Sequence, residues 1–260
     1  MEQLKEYFRE LGSVAVAFSS GVDSTFLLKT AHMVLGDKAV AITAQADLFP
    51  RRESEEASAF CRREGIRQIV FTHNEMAIEH FAENPKNRCY LCKYALFEQM
   101  RKIAEEHQID AIAEGSNVDD EGDYRPGLQA IAELAILSPL REVGLTKGEI
   151  RELSEKLRLP TFDKPSYACL ASRFVYGEQI TPDRLLMVEK AEQLLLDLGF
   201  RQMRVRIHGT MARIEVLPEE FSKLIEPSVR DCIVTQFQKY GFTYVGMDLQ
   251  GYRMGSMNET

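Results

Sequence analysis

An apolar run, Ser13-Val14-Ala15-Val16-Ala17-Phe18, passes directly into Ser19-Ser20-Gly21-Val22-Asp23-Ser24-Thr25. A short, continuous apolar stretch that stops at a turn is a buried strand of the parallel-sheet kind. Phe26, Leu27, Ala31 and Val34 then recur on one face, which predicts a helix over 23–35. The alternation continues, with strands expected at 39–43, 69–71 and 111–114. Helices are expected at 51–64, stopping at Gly65, and at 92–107. Strand and helix alternating through short connections give an α/β domain, a parallel sheet covered on both faces.

The pattern changes after Pro160. Residues 160–177 hold Pro160, Pro165 and Gly177 with little periodicity and read as a linker or active-site loop. Thr181-Pro182-Asp183 opens a helix, with Thr181 as N-cap, Pro182 in the first turn and Asp183 favourable to the dipole; it ends before Gly199. Strands at 204–208 and 212–217, split by Gly209, precede a helix near 228–240 and a strand near 243–249. The expected division is a parallel-sheet domain over 1–165 and a smaller α+β domain over 166–260, with the Cys169 loop at its start. The 260 residues, 45% hydrophobic, suffice for this plan. A net charge of −8 is a poor match to nucleic-acid phosphates, so no nucleic-acid partner is expected. No apolar run has the length of a membrane span, and the start, Met1 to Phe8, is charged and amphipathic rather than a secretion signal. The expectation is a cytoplasmic protein without a membrane partner.

The turn at 19–24 carries the first chemistry. Small residues there let backbone N–H groups face an anion, and the following helix N-terminus adds its positive dipole. Ser19 and Ser24 offer hydroxyl donors. Asp23 suits Mg²⁺ bound to pyrophosphate better than a phosphate itself. No Gly-Lys-Ser/Thr follows, so this is not a Walker loop. It resembles the PP-loop of N-type ATP pyrophosphatases, Ser-Gly-Gly-x-Asp-Ser, which cleave ATP between the α and β phosphates. Ser20 stands where that pattern has its first glycine, and a serine fits there if its φ is negative. Asn117 and Asp120 follow the fourth strand, at the strand ends that form the ligand edge of a parallel sheet. They are nucleotide-pocket residues or parts of an Asx-rich turn.

Five cysteines, an odd number, make a disulfide framework a poor reading in a reducing compartment. Cys61 and Cys232 lie in helical patterns as small buried hydrophobes. Cys89-x-x-Cys92 at a helix start is redox-active, half of a zinc site, or two cluster ligands, and no second pair at short spacing supports zinc. Together with Cys169 it offers three thiolates for a 4Fe–4S cluster with one iron open. Otherwise the pair and the loop cysteine are unrelated. Arg88, Lys93 and Arg173 are near the cysteines in sequence; Lys93 is the best phosphate contact among them. Arg204 and Arg206 share a strand face, with His208 on the same side and Val205 and Ile207 toward the core. Two guanidiniums on one face suit a substrate phosphate.

The chain resembles the LarE family of sulfur transferases along nearly its whole length. The resemblance rests on Ala17 to Thr25, Arg88-Cys89-Tyr90-Leu91-Cys92-Lys93, Gly115-Ser116-Asn117-Val118-Asp119-Asp120, Arg125-Pro126-Gly127, Ala168-Cys169-Leu170-Ala171-Ser172-Arg173, Arg204-Val205-Arg206 and Gly251 to Glu259. It implies an adenine nucleotide alpha hydrolase-like fold using ATP and Mg²⁺. It implies adenylation of a carboxylate on a pyridinium dicarboxylate mononucleotide, then conversion to a thiocarboxylate. The sulfur is that of Cys169 or of a cluster on Cys89, Cys92 and Cys169. It further implies ATP contacts from Ser19, Ser20, Gly21, Val22, Asp23, Ser24, Asn117 and Asp120, with Asp23, Lys93 and Cys169 in catalytic roles. Substrate-phosphate roles fall to Arg204, Arg206, Ser172, Arg173 and Glu192. The partners implied are a small nucleotide substrate and further copies of the chain, up to a hexamer. A PP-loop tRNA thiolase and an ammonia-using NAD- or GMP-synthetase-like ligase are the alternatives.

Overall fold

A computed structural model describes residues 1–120, 126–165 and 167–253. In chain order the first compact unit contains α1 (Glu2–Arg9), β1 (Val14–Ala17), α2 (Val22–Leu35), β2 (Ala39–Gln45), α3 (Arg51–Glu64), β3 (Gln68–Thr72), α4 (Arg88–Glu106), β4 (Ala111–Ala113), α5 (Pro126–Glu133), α6 (Pro139–Glu142) and α7 (Lys147–Lys156). Its sheet runs in the order β3-β2-β1-β4 and every pairing is parallel, with Val14 opposite both Ala39 and Ala111. Side chains alternate across a strand. Val14 and Val16 therefore enter one core with Leu4 and Phe8 of α1 and Phe26 and Leu27 of α2. Ala15 enters another with Phe97 and Met100 of α4 and Ile131 of α5. Both faces are covered, as the apolar strands require.

β1 is the hinge of the topology. From it the chain winds outward to β2 and β3 on one side, and it returns on the other as β4. The crevice between the C-terminal ends of β1 and β4 is the switch point at which such sheets bind ligands.

The second unit contains residues 76–86 and the described residues from 168 onward: α8 (Pro182–Asp197), β5 (Met203–His208), β6 (Met211–Val216), α9 (Phe221–Ile225), α10 (Pro227–Tyr240) and β7 (Tyr244–Met247). β5 and β6 form an antiparallel hairpin across Gly209-Thr210, and β7 joins β6 in parallel. Gly209, at φ +58, supplies the left-handed conformation that a two-residue hairpin turn needs. The Thr181 hydroxyl accepts from the Arg184 N–H at 3.3 Å and caps α8.

The division differs from one cut after residue 165. It falls between Tyr167 and Ala168, and a distant segment, 76–86, belongs to the second unit. Hydrogen bonds account for this: the Ile180 N–H donates to Ala82 O at 2.8 Å and Gly177 N–H to Asn84 O at 3.0 Å. The Asn84 amide donates to Val175 O at 2.6 Å, and Phe81 is buried. Among the described residues no helix is long and apolar enough to cross a membrane.

Candidate functional site

The loop from β1 into α2 has the form of an anion cup. α2 starts at Val22 after Gly21, and no side chain caps its first turn. The first N–H groups of a helix have no intrahelical acceptor, so an uncapped start attracts an anion. The loop is held by its own hydroxyls. Ser24 Oγ donates to Gly21 O at 3.3 Å, lies 3.2 Å from Ser19 Oγ, and accepts from the Ser19 N–H at 3.4 Å. Ser20 does not meet the condition of a negative φ. It sits at φ +54 and is buried. That is the left-handed region a glycine enters freely, which explains a glycine in the general pattern. The serine is held there by its hydroxyl, which donates to Glu53 O at 3.0 Å, and by Lys164, whose ammonium donates to Ser20 O at 3.0 Å.

Asp23 sits in the first turn of α2, and Lys147, the first residue of α7, forms an ion pair with it. The Asn117 amide donates to the other Asp23 oxygen at 3.3 Å. The loop after β4 is thereby joined to the cup. Gly115 makes this approach possible: a Cβ there would lie 3.1 Å from the Ser24 nitrogen and 3.2 Å from Asp23 Cβ. Glu114, buried, accepts from the Ser116 N–H at 3.0 Å, the Ser116 hydroxyl at 2.8 Å and the Ser138 hydroxyl at 2.7 Å. Asp120 accepts from the Asn117 N–H at 2.9 Å, and Asn117 Oδ1 accepts from the Asp119 N–H at 3.0 Å. The Asx turn and the pocket wall are thus one feature: Asp120 shapes the loop, and Asn117 reaches the cup.

Lys147, Lys164 and Glu114 escaped the sequence reading. Lys147 had a signal. Thr146 and Glu149 form a capping box, with Thr146 N–H to Glu149 at 2.9 Å, and that spacing marks a helix start. Lys164 lies in the irregular stretch before Pro165, where periodicity is silent.

α4 carries Cys89, Cys92 and Lys93 in its first two turns. It begins one turn earlier than the expected residue 92, so Cys89 and Cys92 stand three apart on one helical face. The Lys93 stem lies along α5, where a Cβ on Gly127 would come within 2.6 Å of Lys93 Cδ. Cys169 belongs to the second unit. Among the described residues no three His, Cys, Asp or Glu side chains form a metal-holding group. Cys61 is buried, and burial pushes its thiol up to about 12, the mark of an inert core cysteine. Cys232 is only half-buried, which departs from the core reading of it, because it lies beside rather than on the Ile233 and Phe237 stripe of α10.

In the second unit the structure brings together Ser172, Arg173, Glu192, Arg204 and Arg206. Arg173 and Glu192 make a two-pronged pair, both contacts at 2.8 Å, and each is 1% exposed. Arg173 Nη1 also donates to Ala168 O at 2.7 Å, Cys169 O at 3.1 Å and Ser172 Oγ at 2.7 Å. Glu192 accepts from the Val205 N–H at 3.0 Å. Burial opposes its charge, but Arg173 outweighs burial and holds its carboxyl below the usual range. An ionised carboxylate repels phosphate. The pair braces the Cys169 loop against β5.

Arg204 and Arg206 are buried, as are Val205 and Ile207, so β5 is covered on both faces rather than on one. Arg206 donates to Glu215 at 2.9 Å and to Ser172 O at 2.9 Å. Arg204 donates to Met203 O at 2.6 Å, and its guanidinium lies over the Tyr252 ring, 5.1 Å from its centre. Burial brings Arg204 down to about 10, with the Arg173 charge adding to the fall. A cation under that stress favours an anion beside it. His208 is half-buried and lowered by burial and by Arg213. Arg125, Ser166 and Met254 to Glu259 lie outside the described residues.

No family model matches the chain. It is 42% identical over 258 residues, 99% of this chain and 96% of the relative, to an uncharacterized protein of Synechocystis sp.. It is 35% identical over 253 residues, 97% of this chain and 91% of the relative, to the pyridinium-3,5-bisthiocarboxylic acid mononucleotide synthase of Lactiplantibacillus plantarum. It is also 26% identical over 172 residues, 61% of this chain and 55% of the relative, to one of the subunits of the glutamine-hydrolyzing GMP synthase of Methanococcus maripaludis. The GMP synthase likeness fits the parallel sheet and its loop into the PP-loop superfamily, and the synthase of L. plantarum, matched almost end to end, places the chain in the LarE family.

Proposed function

We propose that this protein is an ATP-dependent sulfur transferase acting on a carboxylate of a pyridinium dicarboxylate mononucleotide. One observation carries the reading: an uncapped helix start at the β1–β4 switch point, flanked by Asp23, Lys147 and Asn117, in a chain 35% identical to a synthase of that product class. The substrate carboxylate oxygen attacks the α-phosphorus of ATP, and pyrophosphate leaves into the cup. Carboxylates are poor acyl donors; adenylation replaces oxide by AMP as leaving group. A sulfur nucleophile then forms the C–S bond, and AMP departs.

Asp23 would hold Mg²⁺ on the pyrophosphate, and its carboxylate on the first turn of α2 fits a hard cation. Lys147 and Lys93 offset phosphate charge. Arg204 and Arg206 take the substrate phosphate, supported by the lowered Arg204. Where Cys169 is the sulfur source, its thiolate forms the thioester. Removal of its Hα breaks Cβ–S, and a thiocarboxylate and dehydroalanine result. Cys89 and Cys92, three apart at the start of α4, are soft donors that would suit a 4Fe–4S cluster, and such a cluster would supply an iron on which external sulfide is carried.

Cys169→Ala is expected to keep ATP-dependent pyrophosphate release and to stop thiocarboxylate formation. Asp23→Ala is expected to lose pyrophosphate release by about a hundredfold or more. Loss of both steps in the cysteine variant counts against its role. Iron and sulfide analysis of anaerobically purified protein, with intact mass before and after turnover, separates the sulfur sources. Brown protein with unchanged mass indicates the cluster, and loss of one H₂S per chain indicates Cys169.

A further inference from the structure

We propose that Lys164 is the positioning residue of the phosphate cup, fixing the peptide that joins Ser20 to Gly21; this rests on the ATP reading above. The Lys164 ammonium donates to Ser20 O at 3.0 Å, approaches Ser20 Oγ at 3.4 Å, and pairs with Glu56 of α3 at 2.5 Å. In a trans peptide the carbonyl oxygen and the next N–H point in opposite directions. A cation that draws the Ser20 carbonyl to one side therefore turns the Gly21 N–H to the other. Gly21 directly precedes α2, and among the described residues its N–H meets no acceptor. It is left for an anion.

Ser20 makes the clamp necessary. Its φ of +54 is disfavoured for a residue with a Cβ, so the loop keeps this conformation only where outside contacts hold it. Glu53 O holds the hydroxyl and Lys164 holds the carbonyl, so both ends of the serine are fixed. Lys164 is itself held. Arg151 of α7 donates to Lys164 O at 2.8 Å and to Phe162 O at 2.7 Å, and the Lys164 N–H donates to Thr161 O at 3.0 Å. The clamp thus joins α7, the 161–164 segment, α3 and the cup.

Calorimetric titration of the full chain with MgATP, magnesium pyrophosphate and adenosine tests this. Lys164→Met keeps the stem and removes the donor. It is expected to weaken MgATP and pyrophosphate about ten- to a hundredfold, the effect of losing a charge-assisted hydrogen bond at a binding peptide, and to leave adenosine within about twofold. Lys164→Gln keeps one neutral donor; an intermediate loss is expected, and it serves if the methionine variant does not fold. Wild-type affinity for pyrophosphate in the variants overturns the role of Lys164. So does an equal loss for all three ligands, which is general loosening. A wild-type chain that binds neither MgATP nor pyrophosphate overturns the ATP reading instead. A crystal structure of Lys164→Met then judges the clamp by itself, since an unturned Ser20–Gly21 peptide sinks it.

Discussion

At the scale of single residues, Ser20 shows how a departure from a motif is absorbed. A left-handed conformation costs a residue with a Cβ about 1–2 kcal/mol. The hydroxyl bond to Glu53 O returns about 1 kcal/mol of that. Ser20→Ala keeps the conformational demand and loses the bond. Ser20→Gly loses the same bond and removes the demand. Urea unfolding is expected to rank the glycine variant about 1 kcal/mol above the alanine variant; the reverse order would show that the positive φ is not under strain. The substitution was visible in the sequence, but its backbone angle was not, because the contacts that hold the serine come from Glu53 and Lys164, 33 and 144 positions away. Arg173 and Glu192 teach the same lesson. The family resemblance implied a substrate-phosphate role for both, and only the fold shows that they pair with each other.

Elements with strong periodicity were legible. The strands at β1 and β2 and the helices α2, α3, α8 and α10 lie where apolar spacing, caps and glycines predict them. α6, four residues long, was not, and neither were α5 and α7 on either side of it. Helices of eight and ten residues show too few turns for a period to emerge, and their stability comes from packing. Two glycines test how elements meet. At Gly115 an added methyl meets the backbone of α2, which cannot swing aside. Gly115→Ala is expected to destabilise by about 1–3 kcal/mol and to weaken MgATP binding. At Gly127 the nearest atoms a methyl meets are those of the flexible Lys93 side chain, and alanine is the better helix former by about 0.5–1 kcal/mol. Gly127→Ala is expected to leave thermal stability level or slightly raised while turnover falls, because Lys93 is displaced. Equal activity in the Gly127 variant would remove Lys93 from the reaction.

For the molecule as a whole, composition fixed the charge but not where charge is buried. The chain holds 40 acidic and 32 basic residues, and charges at the surface are screened by water and add little to stability. Glu192 differs. Its folded carboxyl lies below its ordinary 4.5, with the Arg173 charge overcoming burial. Between the two values the unfolded chain binds more protons than the folded one, so this stabilisation is complete above about pH 4.5 and is lost as pH falls through the folded value. Glu192→Gln leaves Arg173 buried without its charge partner, and breaking such a pair costs about 3–5 kcal/mol at neutral pH. Urea unfolding across a pH series is expected to show the wild-type advantage at pH 7 and its steady narrowing below pH 4.5, where protonation makes the wild-type carboxyl resemble the amide. An advantage that stays constant into acid would mean that Glu192 works through shape and hydrogen bonding alone, and the brace on the Cys169 loop would not be an ionic one.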